Sequence, residues 1–287
     1  MQPQQSYKEH DKGTLFLVPT PIGNLDDMTF RAIQTLKDVD LIACEDTRVT
    51  QKLLNHFEID TQKTSYHEHN VNEKTNELIQ KLLEGKNIAQ VSDAGMPSIS
   101  DPGVELVKAA IEHQIAVVPL PGPNAAVTAL IASGISPQPF TFYGFLCRKK
   151  SELVEELETL KDKEETLVFY ESPYRIAKML KSLADVFGAD RRVVLAREVS
   201  KRYEEFIRGT AEEVSTWADE TELKGEFVVM VSGNDNIVEE TLWENWTILE
   251  HLEYKMNFEK MSSKQAIKEV AKDRGLPKRD VYAEYHQ

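Results

Sequence analysis

Residues 91–103, VSDAGMPSISDPG, set two aspartates, two prolines and two glycines directly behind a short apolar run. A turn needs far less, so the surplus of carboxylate marks a loop that grips a ligand. The same construction recurs along the chain, a capping side chain followed by proline at Ser100-Asp101-Pro102, Glu171-Ser172-Pro173 and Pro121-Gly122-Pro123-Asn124. Such pairs open helices, because the cap accepts an orphan N–H and proline is tolerated in the first turn; Asp101, directly before Pro102, reads as a cap of this kind. The usual nucleotide signatures are missing. None of the 13 glycines sits two residues from another, so the dinucleotide GxG core is absent, and Gly85-Lys86 has no upstream glycine to make a Walker loop. Neither HExxH nor CxxC occurs; His67-Glu68-His69 reads as a polar turn, and no metal site is expected. Cys44 and Cys147, the only cysteines, lie in apolar runs and read as reduced packing residues.

The elements that would carry these loops follow from apolar patterning. Short β-branched runs at 15–18, 41–44, 88–92 and 115–120 alternate with helical spacing at 26–38, 46–56, 70–84 and 103–113. That alternation predicts βαβ units on a largely parallel sheet. A second α/β unit follows, with strands at 140–145, 166–171, 192–197 and 226–231 and helices at 151–161, 173–186 and 211–218. The boundary falls near Pro121 to Asn124. Several helix N-termini then lie at the carboxyl ends of strands, where open α/β sheets bind ligands.

The chain has 287 residues and a formal net charge of −14, which argues against a surface that coats nucleic acid generally. Residues 240–287 change character: they hold no strand-like run, and 255–279 carry eight basic residues against three acidic. This basic helical segment, helix–turn–helix-like around Gly275-Leu276-Pro277, is the natural place for phosphate contacts. Residues 1–13 are polar, without a signal-peptide core, and read as a disordered leader. No apolar stretch is long enough to span a membrane.

Three segments, VPTPIGNLDDMTFRAIQTLKDVDLIACEDTR (18–48), SDAGMPSISDPG (92–103) and PLPGPNAAVTALIASG (119–134), resemble the tetrapyrrole-methylase superfamily, which uses S-adenosylmethionine without a glycine-rich fingerprint. PTPIGNL, EDTR, FYGFL (142–146), FYESPYRI (169–176) and AREVSKRYEEFIRG (196–209) are similar to one branch of it, the bacterial small-subunit (16S) ribosomal RNA (cytidine-2′-O)-methyltransferases of the decoding centre. Met96, Ser98 and Cys147 depart from the residues usual there.

The resemblance covers residues 14 to 286 and implies a two-lobed α/β fold with the cofactor cleft between lobes 14–122 and 123–235, a helical C-terminal domain over 240–287, and a cytoplasmic homodimer acting on 16S rRNA or the small ribosomal subunit. S-adenosylmethionine needs acceptors for its cations and an apolar slot for its ring. Asp93 supplies an acceptor, Gly95 close backbone approach and Pro97 a fixed turn. The resemblance assigns Gly122, Asn124 and Ala125 to the cofactor's tail or ribose, Tyr170 and Ala196 to adenine, and Pro19 and Pro21 to the wall. Methyl transfer to a 2′-hydroxyl gains from a base or a cation near the nucleophile; Glu45, Asp46, Arg48, Lys149, Lys150, Glu171 and Arg175 are candidates, with Glu171 and the Asp-Thr-Arg triplet preferred. Arg31, Lys149, Lys150 and Arg175 are candidate phosphate clamps, and Lys264, Lys268, Lys278 and Arg279 are the basic residues of the tail. The competing readings are a corrinoid or tetrapyrrole C-methyltransferase with the same cofactor loops, and a non-catalytic RNA-binding assembly factor.

Overall fold

The computed structural model describes residues 3–6, 11–234, 243, 246–258 and 260–286. The chain divides into two units, 1–234 and 235–287. Strands buried on both faces read as continuous apolar runs, and the first sheet is built from such runs: β1 (Thr14–Leu17), β2 (Leu41–Cys44), β4 (Ile88–Val91) and β5 (Ala116–Pro119), with a short β3 (Lys63–Ser65) at one edge. All pair in parallel, in the order β3-β2-β4-β1-β5. Helices α1 (Phe30–Asp38) and α2 (Thr47–His56) cover one face, where Leu36 and Leu54 pack on Ile42, Ala89 and Val118. The other face takes α3 (Val71–Leu83) and α4 (Val104–Glu112), with Leu78, Leu82 and Leu106 against Leu15 and Ile88. Leu36 is fully buried; its truncation to alanine costs about 2–5 kcal/mol.

The second sheet of the same unit has a different plan. Its strands β6 (Phe140–Gly144), β7 (Thr166–Glu171), β8 (Arg192–Arg197), β9 (Glu205–Thr210) and β10 (Phe227–Val231) run in the order β6-β7-β10-β8-β9, and only β6 and β7 are parallel. Alternate residues separate cleanly to two faces, as the two-residue strand period requires. Leu167, Phe169, Leu195 and Val229 pack under α6 (Lys150–Leu160), α7 (Ile176–Phe187) and α8 (Ala211–Glu220). Val168, Val194, Ala196 and Met230 face α5 (Ala125–Ser133) instead. Register sets Phe227 opposite both Glu171 and Arg197, so the end of β7 and the start of β10 meet at one edge.

Two helix starts differ from the sequence expectation. Asp101 does not cap α4: the N-cap is Gly103, at φ +147°, because the buried Gln90 amide donates to Pro102 O at 2.8 Å and draws the chain past the aspartate. A Cβ at Gly103 would sit 2.0 Å from that amide nitrogen, which excludes a side chain there. Ser172 does not cap α7, which begins at Ile176 without a side-chain cap. Asn124 does cap α5, accepting the Val127 N–H at 3.1 Å.

The unit 235–287 is helical where described: α9 (Ile248–Asn257), α10 (Ser263–Asp273) and α11 (Lys278–Tyr285) close around Leu252, Ile267, Val270 and Val281. Capping boxes, Thr247 with Glu250 and Ser262 with Gln265, start the first two helices. Arg274 ties the unit together, donating to Trp243 O and Trp246 O, each at 2.8 Å.

Candidate active site

A cleft of about 380 Å³ opens where loops from the carboxyl ends of β2, β4 and β5 face the edge of the second sheet formed by β7, β8 and β10. Its volume is that of a small-molecule site. The loop after the central strand β4 forms much of one wall, through Asp93, Gly95, Met96, Ile99 and Asp101. Gly95 is locked to the first loop by paired backbone bonds with Thr20, N to O at 2.9 and 3.0 Å. Its φ of +79° suits glycine. Opposite stand Phe145, Tyr170 and Val228, an apolar surface in which the Tyr170 ring lies 4.9 Å from Phe142 and 5.8 Å from Phe145. The Tyr170 hydroxyl accepts the Ala126 N–H at 3.2 Å, fixing the ring to the start of α5.

The charged groups of this cleft are poorly compensated. Burial pushes the Glu45 carboxyl above its ordinary range, with repulsion from Asp101 and Asp93 adding to the effect. Burial also raises Asp93, although its Oδ1 accepts the Asp46 N–H at 3.0 Å, and raises Asp101, which the Ser92 hydroxyl only partly offsets. Three carboxyls crowded together and desolvated are complementary to a cationic ligand. At the rim the pattern reverses: Lys201 Nζ binds Glu198 Oε1 and Glu226 Oε2, each at 2.8 Å. The aliphatic stem of Lys201 lies over Gly23, where a Cβ would come within 2.3 Å of the lysine Cγ.

Glu171, at the end of β7, is 2% exposed and faces two cavities. Its Oε1 accepts the Ser172 N–H at 2.7 Å. Its Oε2 lies 3.2 Å from Arg175 Nη2 yet makes no hydrogen bond, because that nitrogen donates to Leu146 O at 2.8 Å and Cys147 O at 3.1 Å. Burial holds the carboxyl above the usual glutamate range. A desolvated carboxylate with one oxygen free of hydrogen bonds, though ion-paired to Arg175, is suited to take a proton. The second cavity, about 470 Å³, is basic: Arg148, Lys150, Arg175, Lys178 and Lys181 line it, and Glu171 is its one acid.

Other residues singled out in the sequence fall in several places. Asn124 and Ala125 line the cleft. Pro19 and Pro97 are buried, Pro21 is half-buried, and none reaches the cleft lining. Gly122 packs on Pro19, with room for no side chain: a Cβ would lie 2.6 Å from Pro19 Cβ. Ala196 is fully buried in the layer beneath α5. Asp46 and Arg48 pair with each other, Nη2 to Oδ2 at 2.6 Å, and line neither cavity; the Arg48 hydrogen bonds hold Asp46 far below the usual carboxylate range. Lys150 and Arg175 enter the basic cavity, whereas Lys149 turns to Glu152 at 3.0 Å and Arg31 stands exposed on α1. Lys264 and Lys268 are exposed one turn apart on α10; Lys278 and Arg279 are exposed at the start of α11, Arg279 paired with Asp280 at 3.1 Å. His67 and His69 rings lie 5.9 Å apart, and among the described residues no group of three His, Cys, Asp or Glu side chains is placed to hold a metal. Cys147 Sγ donates to Glu156 Oε1 at 3.1 Å, and that bond raises the thiol pKa, which disfavours thiolate chemistry.

Sequence reading missed Arg148, Lys178, Lys181 and Phe145, and gave Asp101 to capping. The lysines were visible as Arg175-x-x-Lys178-x-x-Lys181, one polar face of an amphipathic helix; the convergence of Asp101 on Glu45 and Asp93 depends on tertiary structure.

Comparison with known proteins gives the geometry its context. The family described as tetrapyrrole (corrin/porphyrin) methylases matches residues 14–215. The ribosomal RNA small subunit methyltransferase I of Bacillus subtilis (strain 168) is 55% identical over 279 residues, 96% of this chain and 95% of that protein. The protein of the same name from Halalkalibacterium halodurans is 55% identical over 290 residues and the whole of both chains. Among solved structures, the uroporphyrin-III C-methyltransferase of Thermus thermophilus complexed with S-adenosyl homocysteine superposes with a TM-score of 0.56, covering 77% of this chain and 97% of that one at 17% identity.

Proposed function

The chain belongs to the tetrapyrrole methylase family, and from that premise we propose that it is an S-adenosylmethionine-dependent enzyme that methylates the ribose 2′-oxygen of a cytidine in the decoding centre of 16S ribosomal RNA. The observation that carries the reading is the position of Glu171, a buried carboxylate with a free oxygen, on the wall between an acidic cleft and a basic cavity. The full-length likeness to ribosomal RNA methyltransferases at 55% identity supports the choice of RNA over a corrinoid.

The cleft fits the cofactor on its donor set. Glu45, Asp93 and Asp101 are carboxyls destabilised by burial and form no ion pair among the described residues, only Asp93 feeling the distant charge of Arg48, so the sulfonium and ammonium charges of the cofactor relieve them. Met96, Ile99, Phe145 and Tyr170 supply the apolar slot for its ring. Gly122 and Pro19, packed together behind the lining, keep that wall close, and Pro21, Pro97 and Ala196 back it. S-adenosylmethionine supplies an activated methyl group, so the protein's task is alignment and proton management. Glu171 takes the 2′-hydroxyl proton as the oxygen attacks. Arg175, held by Leu146 O and Cys147 O, keeps its charge beside Glu171 and limits how far that carboxyl is raised. Asp46 and Arg48 act at one remove, since the Asp46 N–H orients Asp93. Lysines of α10 and α11 add phosphate contacts from the C-terminal unit.

The active species is a homodimer in the cytoplasm, where ribosomal subunits are made. Supporting the dimer, α5 is apolar apart from Thr128 and Ser133, yet leaves Val127 and Ile131 in solvent, as an unpartnered helix does. The test is radiolabelled methyl transfer to small ribosomal subunits lacking the modification, with the product mapped by mass spectrometry. One methyl on a cytidine ribose is expected. Cofactor binding without transfer to subunits or free RNA would overturn the assignment.

A further inference from the structure

The basic cavity has features that methyl transfer alone does not call for. In a protein of net charge −14, five cations converge on one concavity against a single carboxylate. Two sequence patterns bring them together. At the N-cap of α7 and along its first turns, Arg175, Lys178 and Lys181 recur every three residues, on the face away from the buried Leu180 and Leu183. From the other side, Arg148 and Lys150 arrive just ahead of α6 and in its first turn. Arg175 is committed to backbone carbonyls, but Arg148, Lys150, Lys178 and Lys181 are exposed with no carboxylate partner among the described residues. Lysines and arginines on this fold's surface are otherwise often paired, as Lys149, Lys161 and Lys201 are. The cavity floor is apolar at Leu153 and Met179, and Tyr174 stands at its edge with 92% of its surface in solvent.

We propose that this cavity seats the nucleotide next to the one that is methylated, its phosphate held by Arg148, Lys150, Lys178 and Lys181 and its base stacked on Tyr174. The inference rests on the RNA reading above and deepens it, because it names where the flanking strand runs. Unpaired cations select a phosphodiester, an exposed aromatic beside them selects an unstacked base, and the two together are the elements of a single-strand site. The shared wall at Glu171 sets the order: a strand anchored in the basic cavity delivers its neighbouring ribose to the free oxygen of Glu171 and to the acidic cleft beyond.

The experiment uses the full chain and a fluorescein-labelled single-stranded oligoribonucleotide containing the target cytidine, titrated by anisotropy over a range of salt. The double substitution Lys178→Gln/Lys181→Gln is expected to weaken binding by about tenfold or more and to lower the slope of log affinity against log salt by up to about 0.7, the share of one phosphate contact. Tyr174→Ala is expected to weaken binding roughly tenfold with the salt slope unchanged, and Tyr174→Phe to restore it, since stacking needs the ring and not the hydroxyl. S-adenosylmethionine affinity, measured by calorimetry, should stay within about twofold of wild type in all three, which reports an intact fold. If wild type methylates ribosomal RNA and the lysine variant keeps wild-type affinity and slope, the subsite is wrong and the function stands. If wild type binds the cofactor but neither binds nor methylates RNA, the function and the subsite fall together.

Discussion

The two cavities of the first unit have opposite charge and share one residue. In the acidic cleft three carboxyls are raised by burial, Glu45 and Asp101 also by neighbouring carboxyls; in the basic cavity four cations have no carboxylate paired to them among the described residues, and Glu171 is the single acid of the lining. Between them Glu171 keeps one oxygen free. Folding favours paired charges, and Lys201, bridging Glu198 and Glu226 at the cleft rim, shows that this chain can pair them. Leaving like charges together on both sides of a buried carboxylate weakens the empty protein, and the partners that relieve each side differ: a small cation on one, a polyanion on the other. On the proposed function, the contrast separates binding of the methyl donor from binding of the acceptor, with the proposed proton acceptor, Glu171, on the boundary.

The sharpest way to break that contrast is at the boundary. Glu171→Gln should lower single-turnover methyl transfer by about 10²- to 10⁴-fold while cofactor and oligoribonucleotide affinities change little. In wild type the rate should rise with pH through a range above that of an ordinary glutamate, because burial raises the pKa of Glu171 and only the ionised form accepts a proton. An unchanged rate in the variant would remove the boundary role. Next in size, Asp101→Asn should weaken S-adenosylmethionine by about tenfold and leave RNA affinity alone. It should also stabilise the ligand-free protein. A carboxyl whose folded pKa is raised contributes stability below its unfolded pKa and loses it as pH rises through the folded value. The variant's melting temperature should therefore exceed wild type by about 1–3 °C at pH 7 and match it near pH 3. A destabilised variant at pH 7 would mean that Asp101 is a structural cap after all.

Gly122→Ala sharpens the acidic side alone. Its methyl would meet Pro19 Cβ at 2.6 Å, so a loss of about 1–3 kcal/mol in urea unfolding and a weaker cofactor complex are expected; wild-type values would show that the wall is free to shift. The smallest effect belongs to Lys149→Gln. Lys149 is paired with Glu152 and lies outside the basic cavity, so RNA affinity should change by less than about twofold. A loss equal to that of the lysine pair on α7 would place the RNA path elsewhere.

Much of the fold could be read from apolar runs, because strands buried on both faces have no alternative pattern to hide in. Ile88–Val91 and Phe227–Val231 are of this kind. Two of the four edge strands, Lys63–Ser65 and Glu205–Thr210, were not read, since the first is short and the second polar and neither carries such a run. Strand direction was not readable either: Val193–Ala196 looks the same in a parallel or antiparallel ladder, yet β8 runs antiparallel to β10. The site was legible where a motif carried its own geometry, as Asn124 does in capping α5. It was illegible where a buried side chain overrode local grammar, as Gln90 does in drawing Pro102 away from an Asp101 cap. The basic cavity needed two helices brought side by side, and neither Arg148 nor Lys181 announces the other along the chain.

The contact between Lys201 and Gly23 has a consequence for how this sequence can drift. Gly23 sits at φ +141°, and any Cβ there would overlap the lysine stem, while the ammonium at the far end of that stem is held by two carboxylates. A side chain at 23 is therefore barred twice, by the lysine stem and by the backbone conformation itself, so shortening residue 201 would not admit one, while a shorter residue at 201 strands Glu198 and Glu226 beside each other. Across descendants of this chain position 23 should therefore stay glycine while 198, 201 and 226 change together, so that an inherited pattern of linked charge substitutions would record the meeting of segments that lie apart in sequence.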